Sequence, residues 1–369
     1  GSDGLPDGFL ELPAQVYRED PQWIPESSAD IKHAFSSKNP WFDRGEAACF
    51  CVPERVRCAV FMSPEMVIDG LVSAFFGYFE STGDTQAEAL IFAALETWAK
   101  NRGAKQLFGP INFSTFGDYR LRVHAEPGAR TFQSEPYNPP YYPKSLEALN
   151  YNVNQEYLVQ IADTATSLAV VQRSRILLQN FENSGYRFEP LDVELWMNNL
   201  RTLHGLVDQT FALNFAYTPI SYDSFVLACG EAFVRKACPH TSALVFGPEG
   251  DIVGFAINYP HYGPLLTQSA GSTRIPVSDL DFTQHAPLLD AALPRVVLFK
   301  TYATAPKHRQ KGLMTAMGTY GVLQGCSHYD VFFAAMIRSD NPSRRALRET
   351  HQHERWYALY RKHLTASSQ

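Results

Sequence analysis

The chain has 369 residues, of which 45% are hydrophobic and 19% are charged, and its formal net charge is -6. This length allows two domains with sizeable cores, and the apolar content argues against intrinsic disorder. The acidic balance argues against a general nucleic-acid-binding protein, whose binding domain is usually basic.

The cysteines indicate neither a zinc site nor a disulfide framework, because none of them forms a CxxC pair. They are Cys49, Cys51, Cys58, Cys229, Cys238 and Cys326. We expect reduced thiols, no metal and a cytoplasmic location. No apolar run approaches the roughly 18 residues that a membrane-spanning helix needs, so we expect neither a membrane span nor a signal peptide.

The first half of the chain alternates strand-like and helical patterns. We predict strands at 46–52, 57–62 and 70–80, a helix at 85–103, a strand at 105–111, a short helix from Pro143 and a strand at 156–162. Asp84 or Thr85 can cap the long helix, and Gly103 can end it.

The second half repeats this order. We predict a helix at 193–212, a hairpin of strands at 241–247 and 251–259, a strand at 295–304, a helix at 312–325, a strand at 329–337, a short helix near Asn341 and a final strand. The polar segment 162–168 is the predicted linker, which gives domains at 1–164 and 165–369. The long loops 112–136 and 260–294 are interpreted as walls or lids of a cleft, or as surface loops.

A basic turn, TAPKHRQKGLMTAM (304–317), joins the strand that ends near Thr304 to the helix that begins near Gly312. The first N–H groups of a helix have no partner inside the helix, and the helix dipole adds partial positive charge there. Such a turn is suited to binding phosphate, and the glycine allows a close approach to the backbone. The turn matches neither a Walker loop nor GxGxxG. An ordinary basic surface helix is the alternative interpretation.

The turn resembles the acyl-donor loop of the GCN5-related N-acetyltransferase (GNAT) superfamily, in which Arg309-x-x-Gly312 matches [RQ]-x-x-G-x-[GA]. The whole chain is similar to two-domain members related to N-acyl amino acid synthases. The resemblance implies an α/β (α+β) fold of two GNAT-like domains, each a mixed, mostly antiparallel sheet flanked by helices. It implies a donor site for acetyl-CoA, another acyl-CoA or the phosphopantetheine of an acyl carrier protein.

The resemblance implies that the second half binds the acyl donor and that the first half is a degenerate GNAT-like domain. Its donor-binding positions are Thr304, Ala305, Lys307, His308, Arg309, Gln310, Lys311, Gly312, Leu313, Met314, Asn341 and Arg344. Thr304 and Ala305 are expected to pair with the pantetheine arm through their backbone. The equivalent turn of the first half, near Glu80 and Asp84, carries no cation and would repel phosphate.

Two positions depart from the family pattern. Met314 stands where Gly or Ala is usual, and Arg348 occupies the position of a tyrosine that many members use as general acid. The basic set of Arg338, Arg344, Arg345 and Arg348 is suited to steering an acidic carrier protein, but a solvated helix face is the preferred interpretation.

The acid and base of the reaction are not readable from these patterns. Tyr302 and Asp340 are weak catalytic candidates, and Tyr141 and Arg120 are candidates for substrate binding. The predicted function is direct transfer of an acyl group to an amine of a small molecule or amino acid. The alternatives are a thioester-binding protein without turnover and a carrier-protein-dependent acyltransferase of a specialised biosynthetic pathway.

Overall fold

The structure, a computed structural model, describes residues 4–267, 274–341, 344 and 352–364. A mixed sheet of thirteen strands runs through the described residues, and helices pack on both of its faces. This confirms the predicted α/β fold class. Within the described ranges, no helix is long and apolar enough to cross a bilayer.

The strands carry most of the buried apolar side chains. They are β1 (Glu46–Val52), β2 (Val56–Met62), β3 (Val67–Ile68), β4 (Leu71–Ser81), β5 (Gln106–Gly109), β6 (Leu121–His124), β7 (Asn152–Asp163), β8 (Arg187–Pro190), β9 (Ala243–Phe246), β10 (Ile252–Pro260), β11 (Val296–Thr304), β12 (Val331–Arg338) and β13 (His353–His363). Their order is β1-β2-β4-β5-β13-β7-β12-β11-β10-β9-β8, with β3 beside β4 and β6 beside β13. The β4–β5 and β11–β12 pairs are parallel, and the other described pairs are antiparallel.

The helices are short except for one in each half. They are α1 (Leu12–Val16), α2 (Ser28–Ala34), α3 (Thr85–Asn101), α4 (Tyr142–Ala148), α5 (Thr164–Gln172), α6 (Arg175–Asn183), α7 (Val193–Asn198), α8 (Leu200–Phe211), α9 (Tyr222–Cys229), α10 (Glu231–Val234), α11 (Gly263–Leu266), α12 (Phe282–Leu289) and α13 (Leu313–Gly325). Short 3-10 turns lie at Pro40–Asp43, Val277–Asp279 and Pro306–His308.

The helix predicted over 193–212 is divided in two. Asn199 separates α7 from α8, and its side-chain amide donates to the Leu195 carbonyl at 2.8 Å. An asparagine side chain that competes for backbone groups interrupts a helix, and hydrophobic periodicity does not reveal this.

The two halves exchange their last strands. β13 lies between β5 and β7, and β7 pairs on its other side with β12 of the second half. The sequence pattern predicts β13 as the closing strand of the second half, and this expectation is wrong. Strand partners far apart in the chain are set by the tertiary fold, which local periodicity does not encode. The boundary between 164 and 165 stays a prediction.

Candidate functional site

Strands β11 and β12 separate part-way along their length. Their parallel pairing covers Val296–Phe299 against Val331–Ala334 and goes no further. Beyond it, Thr301 to Thr304 pair with β10, and Ile337 and Arg338 pair with β7. A wedge therefore opens between the carboxyl ends of two central strands, where backbone groups remain available to a ligand.

Alternate backbone groups of β11 face this wedge. The Ala305 N–H donates to the Val253 carbonyl at 2.8 Å, and the Ala305 carbonyl accepts from the His308 N–H at 2.9 Å. Because backbone groups alternate along an antiparallel strand, those of Tyr302 and Thr304 point away from β10 and toward the wedge. The expected pairing with a donor arm therefore falls to Tyr302 and to the N–H group of Thr304, because both backbone groups of Ala305 are used and the Thr304 carbonyl accepts from the Thr210 hydroxyl at 3.4 Å.

The corner between β11 and α13 presents a run of backbone N–H groups. Gln310 and Gly312 have positive φ angles of 64° and 89°, so the chain turns sharply before the helix. Gly312 precedes the first helical residue, and no side chain caps the helix. Within the described part of the chain, the N–H groups of residues 310–315 meet no acceptor. Such a concave series of amides at a helix start is an anion-binding arrangement.

The basic side chains of the corner differ in whether groups of the protein already bind them. Lys307 and Lys311 are exposed, and no carboxylate among the described residues lies within ion-pair distance of either. His308 contacts the Tyr186 hydroxyl through Nδ1 at 2.8 Å. Arg309 donates from Nη2 to the Gln209 and Thr210 carbonyls at 3.0 and 2.7 Å. Arg309 thus fixes the corner against α8, whereas the two lysines are available for an anion.

Lys300 lies on β11 where the wedge begins. Withdrawal from bulk water and the nearby Arg120 lower the pKa of Lys300 to about 8, while Asp118 and Glu135 act in the opposite direction. Its Nζ lies 5.5 Å from the centre of the Phe132 ring, and no carboxylate in the described ranges pairs with it. An amine with this pKa exchanges protons near neutral pH.

Asp118 of the first half interacts electrostatically with Lys300. Its carboxylate reaches solvent, but protein surrounds it, and this environment together with Glu26 raises its pKa. Lys300 and Lys236 lower that pKa. Two more carboxylates act here, since Glu26 raises the pKa of Asp118 and Glu135 raises that of Lys300. The region around Lys300 between the halves, hereafter the cleft, therefore contains both amines and carboxylates.

Arg120, predicted to bind substrate, lies beside this cleft. Its guanidinium stacks on the rings of Tyr119 and Tyr157, with centroid distances of 3.5 and 3.9 Å. Nη1 contacts the Met336 sulfur of the splayed part of β12 at 3.6 Å, and Nε is buried without a partner. Arg120 thus borders the wedge and affects the charge of Lys300.

Comparison with known proteins gives low-identity relatives. No family model matches the chain. A bacterial ceramide synthase of Caulobacter vibrioides is 23% identical over 223 residues, which are 57% of this chain and 56% of that protein. Protein YghO of Escherichia coli is 25% identical over 154 residues, or 39% and 38% of the two chains. The matches thus span about half, or less, of the length of these curated relatives.

Solved structures match nearly the whole chain. A tandem GNAT protein from the clavulanic acid biosynthesis pathway has a TM-score of 0.50 at 11% identity, and the alignment covers 98% of this chain and 95% of that one. A conserved protein from Enterococcus faecalis, described as a probable N-acyltransferase, has a TM-score of 0.51 at 10% identity and coverages of 97% and 69%. The chain has the tandem GNAT fold.

The first half of this tandem GNAT fold has a corner equivalent to that of residues 304–313, but it is filled. Asp84 accepts from the N–H groups of Gln86 and Ala87 at 3.1 and 3.0 Å. The Tyr141 hydroxyl donates to the Ser81 carbonyl at 2.7 Å. The protein's own groups thus occupy the amides of the first corner, and the second corner alone of these two presents free amides.

Tyr141 therefore lies at the corner of the first half, away from the wedge of the tandem GNAT fold. The structure does not bring it together with Lys300 or the basic turn. Tyr302, the catalytic candidate on β11, packs against the apolar cluster that includes Leu313 and Met317 of α13. Burial raises the pKa of its hydroxyl, and the side chain of Asn258 acts in the opposite direction. Its catalytic role stays a prediction.

The remaining predicted residues follow β12. Asp340 is exposed and forms an ion pair with Arg338. The Asn341 N–H donates to the Arg338 carbonyl at 2.9 Å, and the Arg344 guanidinium lies over the Trp356 ring at 5.3 Å. These positions border the open end of the wedge without reaching the basic turn. Arg348 lies outside the described residues.

Two residues of the helix start stand in different surroundings. Leu313 is buried in the apolar cluster that also contains Leu178 of α6, and Met314 is 41% exposed. Met314 stands at the position of the small residue of the family pattern, and its side chain is partly exposed to solvent. Within the described chain, no group of three His, Cys, Asp or Glu side chains is placed to hold a metal ion.

Lys300 is the site residue that sequence patterns miss. A signal exists, because it is the only charged residue inside the apolar run VVLFKTYA. A lysine in the centre of a buried strand is rare unless it is paired or functional. The position of Lys300 at the site is apparent only in the structure, where β11 and β12 separate directly after Phe299.

Proposed function

We propose that this chain is an N-acyltransferase that moves an acyl group from a thioester donor to an amine of a small molecule or amino acid. The donor is acyl-CoA or an acyl carrier protein. The observation that carries the proposal is the run of free N–H groups at residues 310–315, which lies at the open end of the β11–β12 wedge. The tandem GNAT fold supports acyl transfer in general.

Phosphate groups of the donor would bind the amides of the corner, with Lys307 and Lys311 adding charge. Backbone amides at a helix start and lysine ammonium groups are common phosphate ligands. The pantetheine arm would then extend along β11 and pair with the backbone groups of Thr304 and Tyr302. This brings the thioester to the wedge near Lys300.

The acceptor amine would approach from the cleft between the halves and attack the thioester carbonyl carbon directly. The C–N bond forms, the C–S bond breaks and the thiol leaves. A backbone N–H of β11 stabilises the oxyanion of the tetrahedral intermediate. Lys300, with a pKa near 8, takes the proton of the attacking amine in its neutral form. Asp118 holds the cationic amine before it is deprotonated.

The Caulobacter relative supports amide formation as the reaction. Its name states that it synthesises ceramide, and a ceramide is the amide of a fatty acid and an amino alcohol. Formation of an amide from a thioester needs an amine site next to a thioester site. In our proposal the wedge would hold the thioester and the cleft between the halves would hold the amine.

Calorimetry and a thiol-release assay test the proposal. We expect acetyl-CoA, longer acyl-CoAs or loaded carrier protein to bind, and thiol to appear when a suitable amine is added. Lys311→Glu should weaken donor binding by about tenfold or more, because it reverses an unpaired charge beside the phosphate. Lys144→Glu, on an exposed position of α4, is the matched control and should leave binding unchanged.

The results of these two assays distinguish between the proposed function and its alternatives. Binding of loaded carrier protein without binding of acyl-CoA selects the carrier-protein donor. Donor binding without thiol release for any amine of a broad panel identifies a thioester-binding protein that lacks turnover. Absence of binding by all these donors rejects the proposed function.

A further inference from the structure

A basic face surrounds the start of α13, although the formal net charge of the whole chain is -6. It consists of residues 164–181, which contain α5 and most of α6, and residues 304–329, which contain the basic turn and α13. Neither segment has an Asp or Glu residue. Together they carry five Lys or Arg residues, which are Arg173, Arg175, Lys307, Arg309 and Lys311. A face of opposite sign to the rest of the molecule attracts a negatively charged partner.

Direct contacts join the two segments of the basic face. Ser174, which precedes α6, lies with its Oγ 2.7 Å from Thr319 Oγ1 of α13. The side chain of Leu177 lies against Gly312, at the start of α13. The beginning of α6 is therefore fixed beside the corner at which we propose that the donor phosphate binds.

The cations of the basic face are exposed and not neutralised by the protein. Arg173, Arg175, Lys307 and Lys311 are all exposed, and none has a carboxylate of the described ranges within ion-pair distance. Arg173 and Arg175 directly flank Ser174 in the chain. The two arginines therefore extend the positive charge of the basic turn along α13.

Carboxylates lie only at the margins of this face. Asp163 caps the end of α5 that is distant from Arg173. Burial together with Glu189 and Glu182 raises the pKa of Tyr320, so these two carboxylates lie beside the second half of α13. The start of α6 and the basic turn thus form a continuous region of positive charge.

Two large apolar side chains protrude among these cations. Ile176 of α6 is 62% exposed, and Met314 of α13 is 41% exposed. Ile176 follows Arg175 directly, and Met314 lies three residues after Lys311. Protein interfaces combine an apolar centre with a polar and charged rim. The phosphates and the sugar of a free nucleotide gain little from aliphatic side chains, so this arrangement favours a protein partner.

We propose that the basic face docks an acidic acyl carrier protein, whose phosphopantetheine arm enters the wedge at the basic turn. This inference rests on the proposed acyl transfer and names its donor. The phosphate of the arm binds the amides of residues 310–315 together with Lys307 and Lys311. The acidic surface of the carrier protein contacts Arg173 and Arg175, and the two exposed apolar side chains lie at the centre of the interface.

The basic set that the sequence predicts for this role is less suitable. Arg338 is paired with Asp340, and the Arg344 guanidinium lies over the Trp356 ring. The other members of that set lie outside the described residues. The cations of the basic face have no such engagement and lie beside the proposed phosphate site.

Calorimetric titration with the holo form of a bacterial acyl carrier protein and with CoA tests the proposal. Both ligands carry the phosphopantetheine arm, but the carrier protein alone extends over the face as a folded protein. Arg173→Glu combined with Arg175→Glu should weaken binding of the carrier protein by at least tenfold and binding of CoA by less than about threefold. Lys105→Glu combined with Lys144→Glu, at exposed positions of the first half, is the matched control and should change neither affinity.

The salt dependence and a second variant add independent evidence. Binding of the carrier protein to the wild type should weaken as salt rises, and the arginine double variant should lose most of this dependence. Ile176→Ala should weaken binding of the carrier protein by about threefold at every salt concentration. Unchanged carrier affinity in both the arginine double variant and Ile176→Ala rejects this face as the docking site.

The outcomes separate the docking surface from the proposed transferase, because the titration needs no turnover. Equal losses of CoA and carrier affinity in the arginine double variant would assign the arginines to the phosphates of the cofactor and overturn the proposal. Binding of CoA without binding of the carrier protein also overturns it and leaves the proposed acyl transfer intact. Failure of both ligands to bind rejects the donor site itself.

Discussion

Replacing Gly312 by aspartate should convert the donor corner into the filled corner of the first half. Gly312 has a φ of 89°, a conformation that aspartate and asparagine tolerate better than other side chains. An added Cβ would lie 2.9 Å from Leu177 Cδ2, the end of a flexible side chain that can shift. The new carboxylate would then accept from amides of α13, as Asp84 does in α3.

The loss of donor affinity can be worked out from this geometry. A carboxylate about 5 Å from a bound phosphate charge repels it by about 3 kcal/mol at an effective dielectric constant of about 20. Solvent and salt at this exposed corner reduce that value by roughly half. Loss of a charge-assisted amide hydrogen bond adds about 1.5 kcal/mol. The sum, about 3 kcal/mol, corresponds to a weakening of more than 100-fold.

Gly312→Asn is the matched control, because asparagine competes for the same amides without a charge. Calorimetric titration with CoA at low and high salt should give a loss of about tenfold for asparagine and a much larger loss for aspartate. The difference between the two variants should shrink as salt rises. If the aspartate variant binds CoA within about threefold of the asparagine variant, phosphate does not bind at this corner.

Four further predictions concern pH and stability. Because the pKa of Lys300 is lowered to about 8 in the folded protein, kcat/KM should rise with pH through about 8, and Lys300→Met should lower activity and remove this rise. Because the pKa of Lys300 is lower in the folded protein than in the unfolded chain, the unfolded chain binds more protons between pH 8 and about 10.4. The free energy of unfolding of the wild type should therefore increase with pH in that window. Lys300→Met should not show this increase, and denaturant titration at several pH values measures both. Arg355→Met should lower the free energy of unfolding by about 3 kcal/mol, because the fully buried Glu135 loses its closest cation and keeps only Arg122 at 3.8 Å. Arg355→Met with Glu135→Gln should recover part of this loss, and equal stability of the single and double variants would contradict the pairing. Gly318→Ala should stabilise the protein by up to about 1 kcal/mol in thermal or denaturant unfolding, because an added Cβ at this helical position meets nothing within 4 Å; a decrease would show that α13 is strained there.

The basic turn at residues 304–313, where we propose that the donor binds, is the part of the site most readily identified in the sequence. A strand, a proline, a basic turn and a helix follow one another within one short segment, so local patterns are sufficient to identify it. The absence of cations from the turn near Asp84 likewise predicts that the first half does not bind the donor. In both cases the relevant groups are close together in the chain.

The acceptor side of the site could not be predicted in the same way. Lys300 and Asp118 come from different halves, and their interaction exists only after the halves have packed together. The sheet order has the same origin, since the partners of β13 lie more than 190 residues earlier in the chain. Helices α5 and α6 were also missed, because short helices give few turns of apolar periodicity.

The exchange of β7 and β13 has a consequence for how this protein is made. On the ribosome, the amino-terminal half emerges with a gap between β5 and β7 that only residues 353–363 can close. Neither half can therefore reach its native state during synthesis while the other is unfinished. Any shortened product that lacks β13 would expose two open strand edges and be prone to aggregation, so the fold of the amino-terminal half depends on a strand that is made about 190 residues later.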